Sequence, residues 1–380
     1  MGSTPQRHRG LMKFSMQKSE LVKALYRVQG IADRRANMPI LAHVLLDADS
    51  QGLTVNATDN DMALQGAYDA DIAEPGRLTV HARQLYDVIK SVPTDRVTLA
   101  SRKNNSIDID AGASKFHLVG SSADEFPALP EIEEPQWTTL PASTLLQLID
   151  RTLFCVSNDE NRHNLGGIFC EVSEGNVLRM VSTDGHRLAL GEATLPHPVV
   201  LPEGGVLVPK KGFIEARRVL TDMPDADVQL GFTRYSAQLR AGPVTLFLRL
   251  IEGQFPNYRQ VIPQGANKKA QIGRQEFADA LKRVSLLSQG RAHGVRMTLT
   301  ADALTLVAED PEHGDAQETL PMRYTGEDLT IGFNARYILD ALSLITEPDI
   351  DFDMSDDLSP GVIRPSGNPS FTAVVMPMRI

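Results

Sequence analysis

The chain repeats itself with a period the size of a small domain, and this constrains its fold more than any single motif. Alternating apolar runs end three times in an acidic turn. Leu53-Thr54-Val55-Asn56-Ala57 precedes Thr58-Asp59, Leu178-Arg179-Met180-Val181-Ser182 precedes Thr183-Asp184, and Leu304-Thr305-Leu306-Val307-Ala308 precedes Glu309-Asp310. The aspartates lie 184 − 59 = 125 and 310 − 184 = 126 residues apart. A second echo follows each: Val80-His81-Ala82-Arg83, Val208-Pro209-Lys210-Lys211 and Phe333-Asn334-Ala335-Arg336. A period this long exceeds the ~20–50 residues of a solenoid repeat and fits the ~100–150 residues of a domain. The 380 residues therefore predict three similar domains.

Each repeat opens on an amphipathic helix: Leu21–Val28, Leu145–Arg151 and Phe277–Val284, with apolar residues three and four apart on one face. Ser19 and Ser143 are the expected N-caps of the first two. Arg27, Arg151 and Arg283 stand at the same place in all three. Alternating strands follow, then second helices near Ala82–Lys90, Lys211–Leu220 and Ala335–Leu344. Ser91-Val92-Pro93, Asp222-Met223-Pro224 and Thr346-Glu347-Pro348 stop these helices, because proline cannot continue one. Each repeat is thus an α+β unit of two helices against short antiparallel strands. A weaker likeness between the two helical segments makes each repeat a doubled half.

Composition is that of an ordinary globular chain, 42% hydrophobic and 23% charged. No apolar run reaches the ~18 residues of a membrane span, and residues 1–11 lack the apolar core of a signal peptide. They are read as a disordered extension ahead of Met12. The two cysteines, Cys155 and Cys170, form no metal-type pair and suggest reduced cytosolic thiols. A net charge of −10 argues against a sequence-specific DNA binder. It leaves room for basic residues gathered on one surface of an otherwise acidic protein.

Several dispersed segments, in order, resemble one family. Thr183-Asp184-Gly185-His186-Arg187-Leu188, Val208-Pro209-Lys210-Lys211-Gly212, Phe255-Pro256-Asn257-Tyr258-Arg259 and Val374-Val375-Met376-Pro377-Met378-Arg379-Ile380 are similar to signatures of the bacterial DNA polymerase III beta sliding clamps. The resemblance covers Met12 to Ile380. It implies a non-catalytic protein of three clamp-type domains, 12–136, 137–264 and 265–380, behind the extension 1–11. Two copies would join head to tail in a six-domain ring, with helices lining the hole and strands outside. The ring would encircle duplex DNA without sequence preference and tether polymerase. Implied partners are a second copy, the DNA polymerase III alpha subunit, the clamp loader, and other polymerases and repair proteins bearing a short clamp-binding motif. The implied setting is cytoplasmic, with no membrane, cofactor or metal.

The resemblance also implies sites. A peptide pocket falls on Leu165, Thr183, Gly185, His186, Arg187, Leu188, Pro256, Val261, Leu358, Val374, Met376, Pro377, Met378 and Arg379. Its methionines suit several different peptides. The dimer interface falls on Phe116 and Leu118 against Leu286 and Leu287; by pattern alone these could equally be core. DNA contact falls on Arg35, Arg83, Lys90, Lys210 and Lys211, through phosphates. A wider basic set, Arg27, Arg151, Arg217, Arg218, Lys282 and Arg283, lies on or beside the helices and is expected to share that face. Gln260, Asn164 and Pro360 depart from better-known members of the family and bear on peptide preference.

Two enzyme-like signals read otherwise. Asp184 and His186 flank a glycine turn, with no nucleophile or orienting third group. Asp349, Asp351 and Asp353 alternate with Ile350 and Phe352, as on a half-buried strand, and Asp356 and Asp357 follow in a turn. No P-loop or dinucleotide-binding glycine pattern occurs, so loading energy would come from a partner ATPase. The competing readings are a His- or metal-dependent hydrolase and an interaction scaffold that does not bind DNA.

Overall fold

The computed structural model describes residues 11–32, 38–130, 135–173, 176–288 and 293–379. Arg35, Ile380 and residues 1–10 of the expected extension lie outside them.

One element order recurs six times: a strand, a helix, then three strands. The helices are α1 (Lys18–Val28), α2 (Ala82–Ser91), α3 (Ala142–Leu153), α4 (Lys210–Thr221), α5 (Arg274–Val284) and α6 (Ala335–Leu342). Each predicted repeat is a doubled half, as the sequence suggested. Within a repeat, the leading strand of each half pairs with the first strand after the other half's helix. Lys13–Gln17 pairs with Arg96–Ser101, and Gly76–His81 with His43–Asp49. The same exchange joins Gln136–Pro141 to Asp227–Phe232 and Val206–Pro209 to Gly167–Ser173. It recurs between Lys268–Gly273 and Asp349–Met354, and between Leu329–Asn334 and Gly294–Leu299.

The chain divides into two compact units, and the division falls inside the second repeat. The first unit holds residues 1–143 and 211–250, the second residues 144–210 and 251–380. The first unit carries a 13-stranded sheet, the second a nine-stranded and a four-stranded sheet. Strands that end a half join neighbouring repeats inside each unit. Met62–Tyr68 pairs with Val244–Arg249 in the first unit, and Arg187–Thr194 pairs with Phe371–Val375 in the second.

Helix formation follows from burial. In α1, Leu21, Ala24, Leu25 and Val28 are fully buried, and each large apolar side chain removed from water is worth about 1.5–3 kcal/mol. In the second unit Phe277, Phe333 and Phe352 form an aromatic centre beneath α5 and α6, with ring centroids 5.6 and 6.3 Å apart. The expected caps Ser19 and Ser143 lie inside α1 and α3, not ahead of them. The physical reason is that each first helix continues directly from a strand, so a carbonyl in the turn after the repeat's second helix takes its first N–H. Lys18 N donates to Asp95 O, Ala142 N to Ala226 O and Arg274 N to Pro348 O, each at 2.8 Å. Of the second helices, α2 and α6 carry side-chain caps: His81 Nδ1 accepts from Gln84 N, and Asn334 Oδ1 accepts from Arg336 N at 2.9 Å.

Candidate functional site

The repeated aspartate is a turn device. Oδ1 of Asp59 accepts from the N–H groups of Asp61 and Met62, that of Asp184 from His186 and Arg187, and that of Asp310 from Glu312 and His313. These bonds satisfy the backbone of a hairpin that would otherwise splay. Thr58 and Thr183 close the same loop by donating to Met62 O and Arg187 O at 2.8 and 2.7 Å. Gly185 sits at φ 89°, a region where side chains are strained.

In the second unit this turn adjoins the chain's last strand. Val374 pairs with Leu188 and Val375 with Arg187, and Met376 N donates to His186 O at 2.9 Å. Leu165, Leu188 and Val374 are buried in one cluster with Leu190, Leu207, Phe255, Tyr258 and Val362. This cluster is separate from the main core of the unit. Close in sequence to its members Tyr258, Val362 and Val374 stand apolar side chains left in solvent: Val261 is 40%, Leu358 68% and Met376 39% exposed. Pro377 and Met378 are half-buried, whereas Gly185, His186, Pro256 and Arg379 are exposed. Met378 is held through its N–H to Gly332 O at 2.9 Å.

Arg187 is largely committed to holding this region together. Its guanidinium reaches Asp184 at 3.1 Å, Asp340 at 2.5 Å and Phe154 O at 3.0 Å, and lies 4.5 Å from the ring centre of Tyr337. A further network positions the 255–262 segment. Arg179 bonds Glu171, Glu192 and the Tyr258 hydroxyl, and Arg259 reaches Glu171 at 2.6 Å. Burial, with Glu171 alongside, pushes Tyr258 up to about 12. Phe255 stacks on Phe169 at 5.2 Å. Sequence reading singled out none of Phe169, Glu171, Arg179, Phe255 and Tyr258 for this role. The one available signal was the aromatic pair in Phe255-Pro256-Asn257-Tyr258.

The basic residues divide into two groups. Arg27 and Arg151 are each only 6% exposed, which removes them from the expected solvent-facing basic set. Both turn inward because each crosses a joint between repeats. Arg27 bonds Asp222 at 3.1–3.2 Å, and Arg151 bonds Ser370 Oγ at 2.9 Å. Others remain at the surface. Arg83 lies 3.4 Å from Asp87, Lys90 stands 5.4 Å over the Tyr86 ring, and Lys211 pairs with Asp59. Arg217 is exposed, while Arg218 bonds the buried Glu215 at 2.7 Å. Lys210 is half-buried and donates to Asn158 Oδ1 at 2.7 Å; burial, with Arg187 nearby, lowers its pKa.

Two sheet edges are also incomplete among the described residues. Ser114–Ser121 pairs along Ser106–Ala111 on one side, but on the other only Gly120 and Ser121 find partners. Phe116 and Leu118 on it are half-buried and Val119 is 74% exposed. Gly314–Pro321 ends the four-stranded sheet. Leu286, at 65% exposure, and half-buried Leu287 lie in a 3₁₀ turn after α5.

Two of the aspartates of Asp349–Met354 and the following turn have ordinary partners. Asp353 pairs with Arg364 at 3.1 Å, and Asp356 caps the turn through Leu358 N and Ser359 N. Among the described residues no helix is long and apolar enough to cross a membrane.

A thrice-repeated α+β scaffold whose conspicuous features are open sheet edges, surface cations and an apolar rim has the character of an assembly and tethering protein. Three domain families of the DNA polymerase III beta subunit match it in order: the N-terminal domain at 12–130, the central domain at 139–257 and the C-terminal domain at 259–379. A beta sliding clamp of Pseudomonas putida is 36% identical over 97% of this chain and 100% of its own. The crystal structure of the C. crescentus beta sliding clamp matches with TM-score 0.92 and 34% identity, covering 98% of this chain and 100% of that one. A Bartonella birtlesii sliding clamp bound to griselimycin matches at TM-score 0.92 and 33% identity, with the same coverage. The chain belongs to the DNA polymerase III beta subunit family, the bacterial sliding clamps. It is therefore a sliding clamp, a non-catalytic processivity factor.

Proposed function

We propose that two copies of this chain close head to tail into a ring of six like domains that encircles duplex DNA in the cytoplasm. The ring tethers the DNA polymerase III alpha subunit, and the clamp loader and repair proteins use the same apolar rim. The domains are 12–136, 137–264 and 265–380, preceded by the extension 1–11. The observation that carries this reading is the pairing rule between repeats. In both joints within the chain, the last strand of one repeat's first half pairs with the last strand of the next repeat's second half. Under that rule the two strands left over are Gly314–Pro321 and Ser114–Ser121, whose edges are open. Open edges are sites of pairing with another chain, and complementary unlike edges close into a ring.

The register transfers as well. Met62, third after Asp59, faces Leu248, and Leu64 faces Leu246. His313 is third after Asp310, and Ser114 follows Gly112 as Val244 follows Gly242. Leu118 then lies opposite His313 of the second copy and Phe116 opposite Asp315, with Leu286 and Leu287 beside them.

Arg83 and Lys90 of α2 and Lys210 and Lys211 of α4 contact phosphates, as does Arg35, which lies outside the described residues. A topologically linked ring needs little equilibrium affinity, which suits a net charge of −10. Linear peptides dock on the rim of Val261, Leu358 and Met376 over the cluster of Leu165, Leu188 and Val374. Thr183, Gly185, His186, Arg187, Pro256, Pro377, Met378 and Arg379 border it. The ligand-bound relative supports a small-molecule or peptide site in such proteins. The test is retention on nicked circular DNA after loading. Bound protein should stay on the circle and leave when the circle is cut; retention on linear DNA, or none on the circle, would reject the ring.

A further inference from the structure

The arginine that closes the first helix of every repeat has two observed roles and one missing. Arg27, near the end of α1, leaves its own repeat and bonds Asp222, the residue after α4. Arg151, near the end of α3, leaves its own repeat and bonds Ser370 O and Oγ at 3.3 and 2.9 Å. Glu347, in the turn after α6, acts on Arg151 electrostatically. It joins the same contact through Asn368, whose Nδ2 lies 2.7 Å from it and whose Oδ1 accepts from Ser370 N. In both joints, then, a buried arginine from one repeat's first helix reaches into the next repeat: Arg27 meets the carboxylate of Asp222 just beyond α4, and Arg151 meets Ser370 ahead of the last strand, a contact that Asn368 links to the carboxylate of Glu347.

Arg283 holds the same place in α5. It is the exception in exposure, with 59% of its side chain in solvent against 6% residue exposure for the other two. It lies back on Glu318 of Gly314–Pro321, with contacts of 3.0 and 2.5 Å. That strand has the open edge that the pairing rule leaves for a second copy.

We infer that Arg283 is the lock of the joint between copies, buried on ring closure against the turn after α2 of the second copy. This rests on the head-to-tail ring. The corresponding turn is Ser91-Val92-Pro93-Thr94-Asp95, and its one carboxylate, Asp95, is exposed. Asp95 O already caps α1 at 2.8 Å, so its backbone position is set. Glu318 holds the guanidinium extended beside the open edge, which lowers the ordering cost of docking. A planar fork with five donors can keep Glu318 and still engage a second acceptor.

The experiment measures the dimer dissociation constant of the full chain by sedimentation, for wild type, Arg283→Ala, Arg283→Lys and Lys282→Ala. Truncating one partner of a charge pair buried at an interface should weaken association by about tenfold or more. Arg283→Ala should show this and Arg283→Lys should recover only part. Lys282→Ala, on the same helix and paired within it to Asp279 at 3.9 Å, should dimerise as wild type. Arg283→Asp combined with Asp95→Arg should associate more tightly than either single variant. Equal dissociation constants for wild type and Arg283→Ala, or strictly additive effects in the charge swap, would overturn the lock while leaving the ring standing. A wild-type chain that stays monomeric at micromolar concentration would overturn the ring itself. Thermal unfolding of dilute monomer should be the same for wild type and Arg283→Ala, because the side chain is exposed there.

Discussion

Arg187 ties a hairpin end to a helix 153 residues away: its Nη1 lies 2.5 Å from Oδ2 of Asp340 in α6. The same guanidinium bonds Asp184 and Phe154 O and lies against two aromatic rings. Its side chain is 13% exposed and that of Asp340 is 48%. Removing the arginine strands partly buried acceptors, whereas removing the Asp340 charge leaves them satisfied. Arg187→Ala should therefore destabilise the protein by about 2–3 kcal/mol, and Asp340→Asn by less than about 1 kcal/mol. Urea unfolding measures both, and equal losses would contradict this assignment.

The rim around the Leu188–Val374 cluster should separate binding from stability. Leu358 is 68% and Met376 39% exposed, so Leu358→Ala removes little buried area from the free protein and Met376→Ala only part of a side chain. If each covers an incoming peptide side chain as proposed, its loss should cost about 1 kcal/mol or more of affinity, a fivefold or greater loss. Fluorescence polarisation with a labelled clamp-binding peptide reads the loss, and melting temperatures should stay within about 1–2 °C of wild type. Val374→Ala, in contrast, should lower both, since Val374 is 1% exposed.

Glu215 gives a pH-dependent prediction. It is buried on the inner face of α4 beside Arg218, and burial raises its pKa above the ordinary 4.5 despite the attraction of Arg218 and Lys211. The folded state thus holds a proton that the unfolded state has released, so stability falls as pH climbs from 4.5 through the raised value. Glu215→Gln lacks that titration. Its stability relative to wild type should be lowest in acid, rise through this window and level off above it. A difference between the two proteins that does not change from pH 4 to pH 8 would refute the assignment.

How much of this could be read beforehand follows from the distance over which each contact acts. Helix faces such as Leu21, Leu25 and Val28 repeat at a spacing visible within one turn, and the 125-residue period marks the repeats. Arg27 and Arg151 misled because a basic residue at the end of an amphipathic helix has the same local sequence whether it meets solvent or a carboxylate in another repeat. The partner of Arg27 is 195 residues away. The Tyr258–Glu171 contact spans 87 residues and has no local pattern at all. Phe116 and Leu118 alternate as an edge strand should, but only the pairing order shows which edge stays open. The rim residues came from family resemblance; their exposure, which makes them available to a partner, came from the fold.

Lys211 and Asp59 make the last prediction, because here the repeated aspartate restrains a proposed DNA contact. Lys211 pairs with Oδ2 of Asp59, while Oδ1 holds the turn through Asp61 N and Met62 N. Asp59→Asn keeps the Oδ1 acceptor and so the turn, but releases the lysine from its counter-charge. It should strengthen association with duplex DNA at low salt and steepen the dependence of log affinity on log salt, by at most about 0.9 for one added phosphate contact. Lys210→Glu with Lys211→Glu should do the opposite, weakening association and flattening the slope by roughly two such contacts. Lys210 should also lose its share of affinity at lower pH than other lysines, since burial lowers its pKa. Fluorescence anisotropy with a nicked duplex across a salt series reads these effects. Unchanged slopes in the double reversal would remove both lysines from the DNA-facing surface. A weaker-binding Asp59→Asn protein would mean that Asp59 orients Lys211 toward the phosphate and does not compete with it.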